Sequence, residues 1–184
     1  YYDAGARSFY TKEKKINSPE DLDGLKIRVM ESKTAFDMVK ALGGSPTPIS
    51  FGELYTSLQQ GVVDGAENNP PSFYLSRHYE VCKYYTLDEH TILPDVLLMS
   101  THIWDSFSDK ERGWLSQAVK ESITEQRKLW AKSEKQSLDA VKEAGVEIII
   151  PDKTLFSKKS KIILESYKED EVLYDFINRI KNTK

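Results

Sequence analysis

The sequence has 184 residues, of which 39% are hydrophobic and 30% are charged, as in ordinary globular proteins. Its formal net charge of −3 provides no basic excess of the kind that binds nucleic acid. The single cysteine, Cys82, excludes an internal disulfide and a cysteine-based metal cluster, and it is predicted to be a small buried residue. No apolar run is long enough to cross a bilayer. The chain opens without a methionine or a recognisable signal peptide, so we expect a fragment or a processed chain.

Predicted strands and helices alternate over the first hundred residues, which indicates α/β architecture with a mostly parallel sheet. Apolar runs predict the strands, and capping residues, glycines and prolines delimit the helices. Strands are predicted over residues 1–11, 24–32, 62–68, 96–100 and 146–150, with a further strand possible between 84 and 95. Helices are predicted over 33–42, 50–61 and 70–78, and one or two amphipathic helices follow Pro151.

The longest predicted element is a helix that begins at the capping box Ser108–Glu111. No proline or glycine interrupts residues 114–144, so the helix would be roughly 50 Å long at its normal rise. A compact domain of this size does not need such a rod, which normally lies across two lobes. A second predicted capping box, Ser50–Glu53, opens one of the shorter helices.

Motifs of the common enzyme classes are absent from the sequence. There is no G-x-S-x-G, G-x-x-x-x-G-K-[ST] or H-E-x-x-H pattern, and His78, His90 and His102 are scattered. The segment 88–90, DEH, predicts a local hydrogen-bonding cluster because no further partner stands at metal-ligand spacing. We therefore predict no enzyme, no catalytic or metal site and no cofactor.

Polar side chains gather instead at the ends of the predicted strands. Arg28 lies toward the carboxyl end of its strand, where parallel sheets bind their ligands. An arginine can hold a carboxylate through two parallel hydrogen bonds, and asparagine supplies both a donor and an acceptor. Taken singly, each residue is better explained by an ordinary surface position, since surface ion pairs are common. Together they would form a pocket for a small polar acid. The candidate residues on this basis are Arg7, Arg28, Asn68, Asn69, Phe51 and Tyr74.

Three stretches resemble the substrate-binding proteins of tripartite ATP-independent periplasmic (TRAP) transporters, the DctP-like family. They are LDGLKIRVMES (22–32), LGGSPTPISFGELYTSLQQGVVDGAENN (42–69) and SRHYEVCKYYTLDEHTI (76–92). The resemblance implies two α/β lobes, joined by crossing strands and a long helix, that trap an organic acid and deliver it to a membrane permease. It also implies a periplasmic or other extracytoplasmic location.

The resemblance assigns roles to matching positions. Arg28 takes the place of the dominant carboxylate-binding arginine, and Asn68 that of an asparagine contacting the same carboxylate. Arg7 matches a second, less universal arginine. Phe51 matches an aromatic wall of the pocket, and His90 falls near a further lining position. Glu31 stands where binders of different acids differ, so it is a candidate for reading ligand hydroxyls.

The branch of the family that binds hexuronates, such as glucuronate or galacturonate, is most similar to this chain. One departure is Pro70-Pro71, which stands where a tryptophan is expected after the asparagines. C4-dicarboxylates and sialic or other keto acids remain alternative ligands. A ligand sensor and a sugar-acid enzyme are alternative functions from other classes.

The family's N-terminal portion, which builds most of the first lobe, has no counterpart here. We expect residues 1–91 to form the second lobe, 92–132 to supply a return strand and a helix of the first lobe, and 133–184 to continue the long helix and pack on the second lobe. An unpaired return strand would expose its edges, so we predict either a fragment or a dimer that buries them.

Overall fold

The computed structural model describes residues 1–183 as a six-stranded mixed sheet with helices on both faces. The strands are β1 (Ala6–Thr11), β2 (Lys26–Val29), β3 (Ser45–Pro48), β4 (Gly65–Asn68), β5 (Tyr84–Ile92) and β6 (Glu147–Ile149). Their order across the sheet is β3-β2-β4-β1-β5-β6. Strand β2 is parallel to β3 and β4, and β6 is parallel to β5, whereas β1 is antiparallel to both of its neighbours. The α/β class predicted from the sequence is confirmed.

The α-helices are α1 (Lys33–Leu42), α2 (Leu54–Gln59), α3 (Pro70–Leu75), α4 (Thr101–Ser106), α5 (Asp109–Glu143), α6 (Lys153–Ser166) and α7 (Glu171–Lys181). Short 3₁₀ turns cover Pro19–Leu22, Phe51–Glu53 and His78–Glu80. No helix in the part of the chain that the structure describes combines the length and apolar character needed to cross a membrane.

The sheet separates two hydrophobic cores, because successive side chains of a strand point to opposite faces. Phe9 and Tyr10 are neighbours in β1, yet each is fully buried in a different core. One core lies under α1 and α6 and contains Phe9, Ile16, Leu22, Ile27, Val29, Met38, Val39, Leu42 and Phe156. The other lies under α2, α3 and the end of α5 and contains Tyr10, Leu54, Leu58, Val63, Ala66, Phe73, Cys82, Tyr85, Val141 and Val146. Burial of Cys82 confirms its predicted packing role.

Local capping chemistry explains the limits of several helices. The predicted bounds of α1 are confirmed: the Ser32 hydroxyl accepts a hydrogen bond from the Ala35 amide, and Gly43 ends the helix in the left-handed conformation at φ = 106°. The capping box Ser108–Glu111 also forms and begins α5, which runs for 35 residues.

The second predicted capping box, Ser50–Glu53, is wrong. The Ser50 hydroxyl donates to the Glu53 carboxylate over 2.5 Å instead of accepting from a backbone amide of the helix. The chain therefore passes through the 3₁₀ turn Phe51–Glu53 before α2 begins at Leu54. Ser50 and Glu53 have the spacing of a capping box, but their side chains bond to each other and not to the backbone amides of the helix.

The strand predicted over residues 96–100 is also wrong. Only Asp95 pairs, in an isolated antiparallel bridge with Tyr2, and α4 begins at Thr101. A strand is stable only when a neighbouring strand accepts its hydrogen bonds. Among residues 1–183 no strand lies beside this segment, and no residue between 91 and 136 is buried.

A bulge shapes the pairing of β1 with β5 next to one end of the sheet. Arg7 pairs with Thr91 and Phe9 with Thr86, so the four residues 87–90 lie opposite the single residue Ser8. Within the bulge Glu89 adopts a left-handed conformation, at φ = 50°. Bulges re-aim side chains, and this one turns two polar residues of the DEH segment into the interior.

Candidate functional site

The carboxyl ends of β2 and β4 meet the amino end of β1 at one edge of the sheet. A cavity of about 450 Å³ opens there, on the side of α2 and α3, and the long helix α5 forms part of its wall. Its lining residues are Ala4, Arg7, Arg28, Met30, Phe51, Asn68, Asn69, Ser72, Leu93, Asp95 and Trp130. The structure thus brings together five of the eight predicted site residues: Arg7, Arg28, Phe51, Asn68 and Asn69.

The outer guanidinium nitrogens of Arg28 have no hydrogen-bond partner in the part of the protein that the structure describes. The residue is only 3% exposed, between two β2 neighbours that belong to the core under α1 and α6. Its Nε donates to the Ile49 carbonyl oxygen at 2.8 Å, and the Phe51 ring lies 5.7 Å from the guanidinium carbon. Within residues 1–183, neither Nη1 nor Nη2 has a hydrogen-bond partner or a carboxylate in ion-pair range.

The protonated charge of Arg28 is held without a protein counterion. The pKa of Arg28 is lowered from its usual value, mainly because burial removes water from the guanidinium. The nearby positive charge of Arg7 lowers it further. An arginine remains protonated even so. Arg28 is thus a cation that lines the cavity and has both outer nitrogens free of protein acceptors among the described residues. A guanidinium with two free nitrogens can bind a carboxylate in bidentate fashion.

Arg7 differs from Arg28 because its guanidinium is already paired with the carboxylate of Glu67. Its Nε and Nη2 donate to the two Glu67 carboxylate oxygens at 2.5 and 2.8 Å, and Nη2 also reaches the Glu67 carbonyl oxygen at 2.9 Å. Burial would lower the Arg7 pKa, but the hydrogen bond and charge of Glu67 outweigh burial and raise it. Arg7 therefore has little free capacity for a ligand, and its Nη1 instead holds Asn68 Oδ1 at 3.0 Å.

The two asparagines at the end of β4 have separate structural partners. Asn68 Oδ1 accepts from Arg7 and from the Asn69 amide, which orients its Nδ2 donors as the free end of the side chain. Asn69 Oδ1 accepts from the Ser72 amide at 2.8 Å and caps α3, and its Nδ2 donates to the Ala4 carbonyl oxygen at 3.0 Å. Pro70 then occupies the first turn of α3, where no amide hydrogen is needed.

His90 lies behind this edge in a buried chain of charges. Its Nδ1 is 2.7 Å from Asp88 Oδ2, its Nε2 is 3.6 Å from Glu67 Oε2, and its ring stacks on Phe9 at 4.3 Å. The local hydrogen-bonding cluster predicted for residues 88–90 is confirmed. Burial opposes the charged imidazole, yet the carboxylates of Asp88 and Glu67 raise the His90 pKa to about 9.

The Glu67 carboxylate links this histidine to Arg7. Burial would raise the Glu67 pKa, but the hydrogen bonds and charges of His90 and Arg7 lower it. Two cations and two anions, including Asp88, thus form a chain with no net charge. His90 lines a separate cavity of about 330 Å³ on the α1 and α6 side of the sheet, which shares Arg7, Met30 and Leu93 with the first.

The structure places the remaining two predicted residues away from both cavities. Glu31 is exposed just beyond the end of β2 and lines neither of them. Tyr74 lies on α3 and stacks on Tyr79, with the ring centres 5.5 Å apart. Neither side chain reaches the free fork of Arg28.

Two lining residues, Trp130 and Asp95, are not predictable from the sequence, because only long-range contacts bring them to the cavity. Trp130 belongs to α5 and approaches Gly5, whose φ of 69° and missing side chain make room: a Cβ there would lie 3.0 Å from the indole nitrogen. The Asp95 backbone pairs with Tyr2 in both directions, at 3.0 and 3.1 Å. Gly5 was visible as a chain interruption, but nothing local pointed to either lining residue.

A mixed sheet flanked by helices, with an unpaired arginine fork at its strand ends, is an arrangement that can hold a small anion. Residues 1–170 match the family model described as "Bacterial extracellular solute-binding protein, family 7", DctP. The chain therefore belongs to the DctP family, as the sequence resemblance predicted, and this is a family of transport components rather than of enzymes.

Individual relatives agree with this assignment. A solute-binding protein of Chromohalobacter salexigens is 39% identical over 171 residues, which are 92% of this chain and 51% of the relative. The TRAP periplasmic solute-binding protein of Sulfitobacter sp. NAS-14.1, solved with β-D-galacturonate, has 42% identity and a TM-score of 0.93 over 100% of this chain and 62% of its own. That of Roseobacter denitrificans, solved with β-D-glucuronate, has 39% identity and the same TM-score, with 100% and 61% coverage. The chain thus spans about half to three fifths of these relatives.

Proposed function

We propose that this chain captures a hexuronate, such as galacturonate or glucuronate, as the solute-binding component of a TRAP transporter. The observation that carries the proposal is the buried Arg28 side chain, which lines the cavity and has no protein acceptor within residues 1–183 for its two outer nitrogens. Relatives of known structure that hold galacturonate and glucuronate support this class of ligand.

In this proposal the ligand carboxylate binds Nη1 and Nη2 of Arg28, and Asn68 Nδ2 donates a further hydrogen bond. Phe51 and Trp130 form aromatic walls for the sugar ring. Arg7 contributes mainly by holding Asn68 in place, and Asn69 by capping α3. Contact of the ligand with Glu31, Tyr74 or His90 stays a prediction, since none of them lines this cavity.

The proposal extends to location and to the membrane partner. Because similar proteins of known structure are periplasmic solute-binding proteins of TRAP transporters, the proposed function lies outside the cytoplasm, with the TRAP permease subunits receiving the acid. The absence of buried residues between 91 and 136 supports the expected division into a second lobe (1–91 and 133–184) and a segment of the first (92–132). Self-association through that segment is a further part of the proposal.

Ligand-dependent thermal stabilisation tests the proposed function. We expect galacturonate or glucuronate to raise the melting temperature of the protein, because a ligand that binds only the folded state stabilises it. Arg28→Ala should weaken binding by about 2 kcal/mol or more, because the ligand carboxylate would be desolvated and unpaired. Arg28→Lys should bind more weakly than the wild type, since a single ammonium cannot reproduce the fork.

The matched control is Arg179→Ala, which removes an exposed arginine from α7. It should leave the ligand-induced shift unchanged. If Arg28→Ala binds the ligand with wild-type affinity, Arg28 is not part of the binding site and the proposed function is rejected.

A further inference from the structure

The charges around the cavity leave one cation and one anion without protein partners. Glu67 neutralises Arg7 through two short hydrogen bonds, so Arg28 is the cation left for a ligand. Asp95 is the only acidic residue among those that line this cavity. Its carboxylate has no ion-pair partner within 4.0 Å in residues 1–183, although its backbone is tied to Tyr2.

A ligand that fits this arrangement carries one carboxylate and, at a different point, groups that donate hydrogen bonds. Its carboxylate meets the Arg28 fork, and a hydroxyl can donate to the Asp95 carboxylate. A second carboxylate would meet Asp95 as a like charge with no spare cation to offset it, and such juxtaposition is unfavourable. The cavity therefore distinguishes hydroxylated monoacids from diacids.

We infer that Asp95 is a specificity-determining residue that admits sugar monoacids and excludes dicarboxylates. This inference rests on the proposed function and narrows its ligand class. The tie between Asp95 and Tyr2 supports it, because two backbone hydrogen bonds hold the residue in position at the cavity. Glu31, the residue that the sequence suggested for reading ligand hydroxyls, does not line this cavity, whereas Asp95 does.

Two acids with the same six carbons test the inference by titration calorimetry. Galacturonate forms a ring and galactarate does not, so the readout is the change in their relative affinities on substitution. Galacturonate has one carboxylate, and galactarate has the same carbon skeleton with a carboxylate at both ends. We expect the wild type to prefer galacturonate. Asp95→Asn should increase the affinity for galactarate relative to galacturonate by about fivefold, the effect of one charge pair at contact distance in a solvated site.

Asp23→Asn makes the same substitution at an exposed position that lines neither cavity, and it should leave the ratio of affinities unchanged. An unchanged ratio in Asp95→Asn, or an equal change in Asp23→Asn, would overturn the inference. A melting curve without ligand shows whether Asp95→Asn is folded, and Asp95→Glu, which keeps the charge, should retain the preference for galacturonate.

Failure of the inference is distinguishable from failure of the proposed function. Arg28→Ala should lose both acids, whatever Asp95 does. If Arg28→Ala loses both acids while Asp95→Asn leaves the ratio unchanged, the proposed function stands and the role of Asp95 is rejected. If Arg28→Ala binds both acids normally, the proposed function itself is rejected, and the inference with it.

Discussion

Two arginines at the same edge of the sheet have opposite surroundings. Arg7 is saturated by Glu67, which raises its pKa, whereas Arg28 is buried without a counterion and its pKa is lowered. A buried charge without a partner is unfavourable for the free protein. A ligand carboxylate relieves that cost when it binds, which is why the unpaired arginine, rather than the paired one, is the functional candidate.

Two histidines near the site should make stability depend on pH in opposite directions. The pKa of His90 is raised to about 9 by its carboxylate neighbours despite burial, so its stabilisation is complete below pH 6.5 and is lost as the pH rises through 9. Burial, with a contribution from the Arg28 charge, lowers the pKa of His78 to about 4, so its neutral form stabilises the fold above pH 6.5. That contribution is lost as the pH falls toward 4.

We therefore expect the free energy of unfolding, measured by urea denaturation, to be highest near pH 6.5 among the values 4.5, 6.5 and 9. His90→Gln should flatten the decline between pH 6.5 and 9 and leave the acid decline in place. The acid decline also includes Glu67, whose lowered pKa makes protonation destabilising. A wild-type stability that is constant from pH 6.5 to 9 would contradict the charged His90 network.

At the scale of elements, the contact between α5 and the start of β1 depends on Gly5. A Cβ at this position would lie 2.4 Å from Glu134 Oε1 and 3.0 Å from Trp130 Nε1, and its φ of 69° disfavours any side chain. Gly5→Ala should lower the free energy of unfolding by about 1–2 kcal/mol from the backbone conformation alone. It should also weaken hexuronate binding, because the Trp130 indole, which lines the cavity, must shift away from the added methyl group.

Gly24→Ala separates these two effects. Gly24 has a similar φ of 76°, but nothing lies within 4 Å of the position its Cβ would take. Gly24→Ala should lower the free energy of unfolding, measured by urea denaturation, by a similar amount and leave the affinity for galacturonate unchanged. Equal affinities in the two variants would show that the contact of Trp130 with Gly5 does not shape the cavity.

For the whole molecule, the segment from residue 92 to α4 leaves an apolar surface exposed. Leu98 is 82% exposed, and a cavity of about 470 Å³ lies between this segment and the start of α5. The cavity is lined by Leu97, Leu98, Met99, Trp104, Leu115, Ser116, Val119 and Lys120. Contiguous apolar surface of this kind is rare on a stable monomer.

We expect the 184-residue chain to self-associate through this surface, as judged by light scattering of the eluting protein across a range of concentrations. Leu98→Glu should shift the equilibrium toward the monomer. Leu75→Glu changes an equally apolar residue, 73% exposed on α3, and should have no such effect. A wild-type chain that remains monomeric at every concentration would refute the proposal.

Features with local causes were predictable from the sequence. The limits of α1 follow from Ser32 and Gly43, and the start of α5 follows from Ser108 with Glu111, because a cap needs only residues within one turn. The position of Arg28 near the end of β2 was predictable for a similar reason, since the alternation of apolar residues marks a strand within a few positions.

Contacts between distant residues were not predictable in this way. The strand expected over 96–100 fails because a strand needs a hydrogen-bonded neighbour, and the chain 1–183 provides none there. The pairing of Arg7 with Glu67, which decides that Arg28 is the free cation, depends on β1 lying beside β4. Asp95 and Trp130 reach the cavity only through such packing, because charge and steric contacts act through space and carry no signature in neighbouring residues.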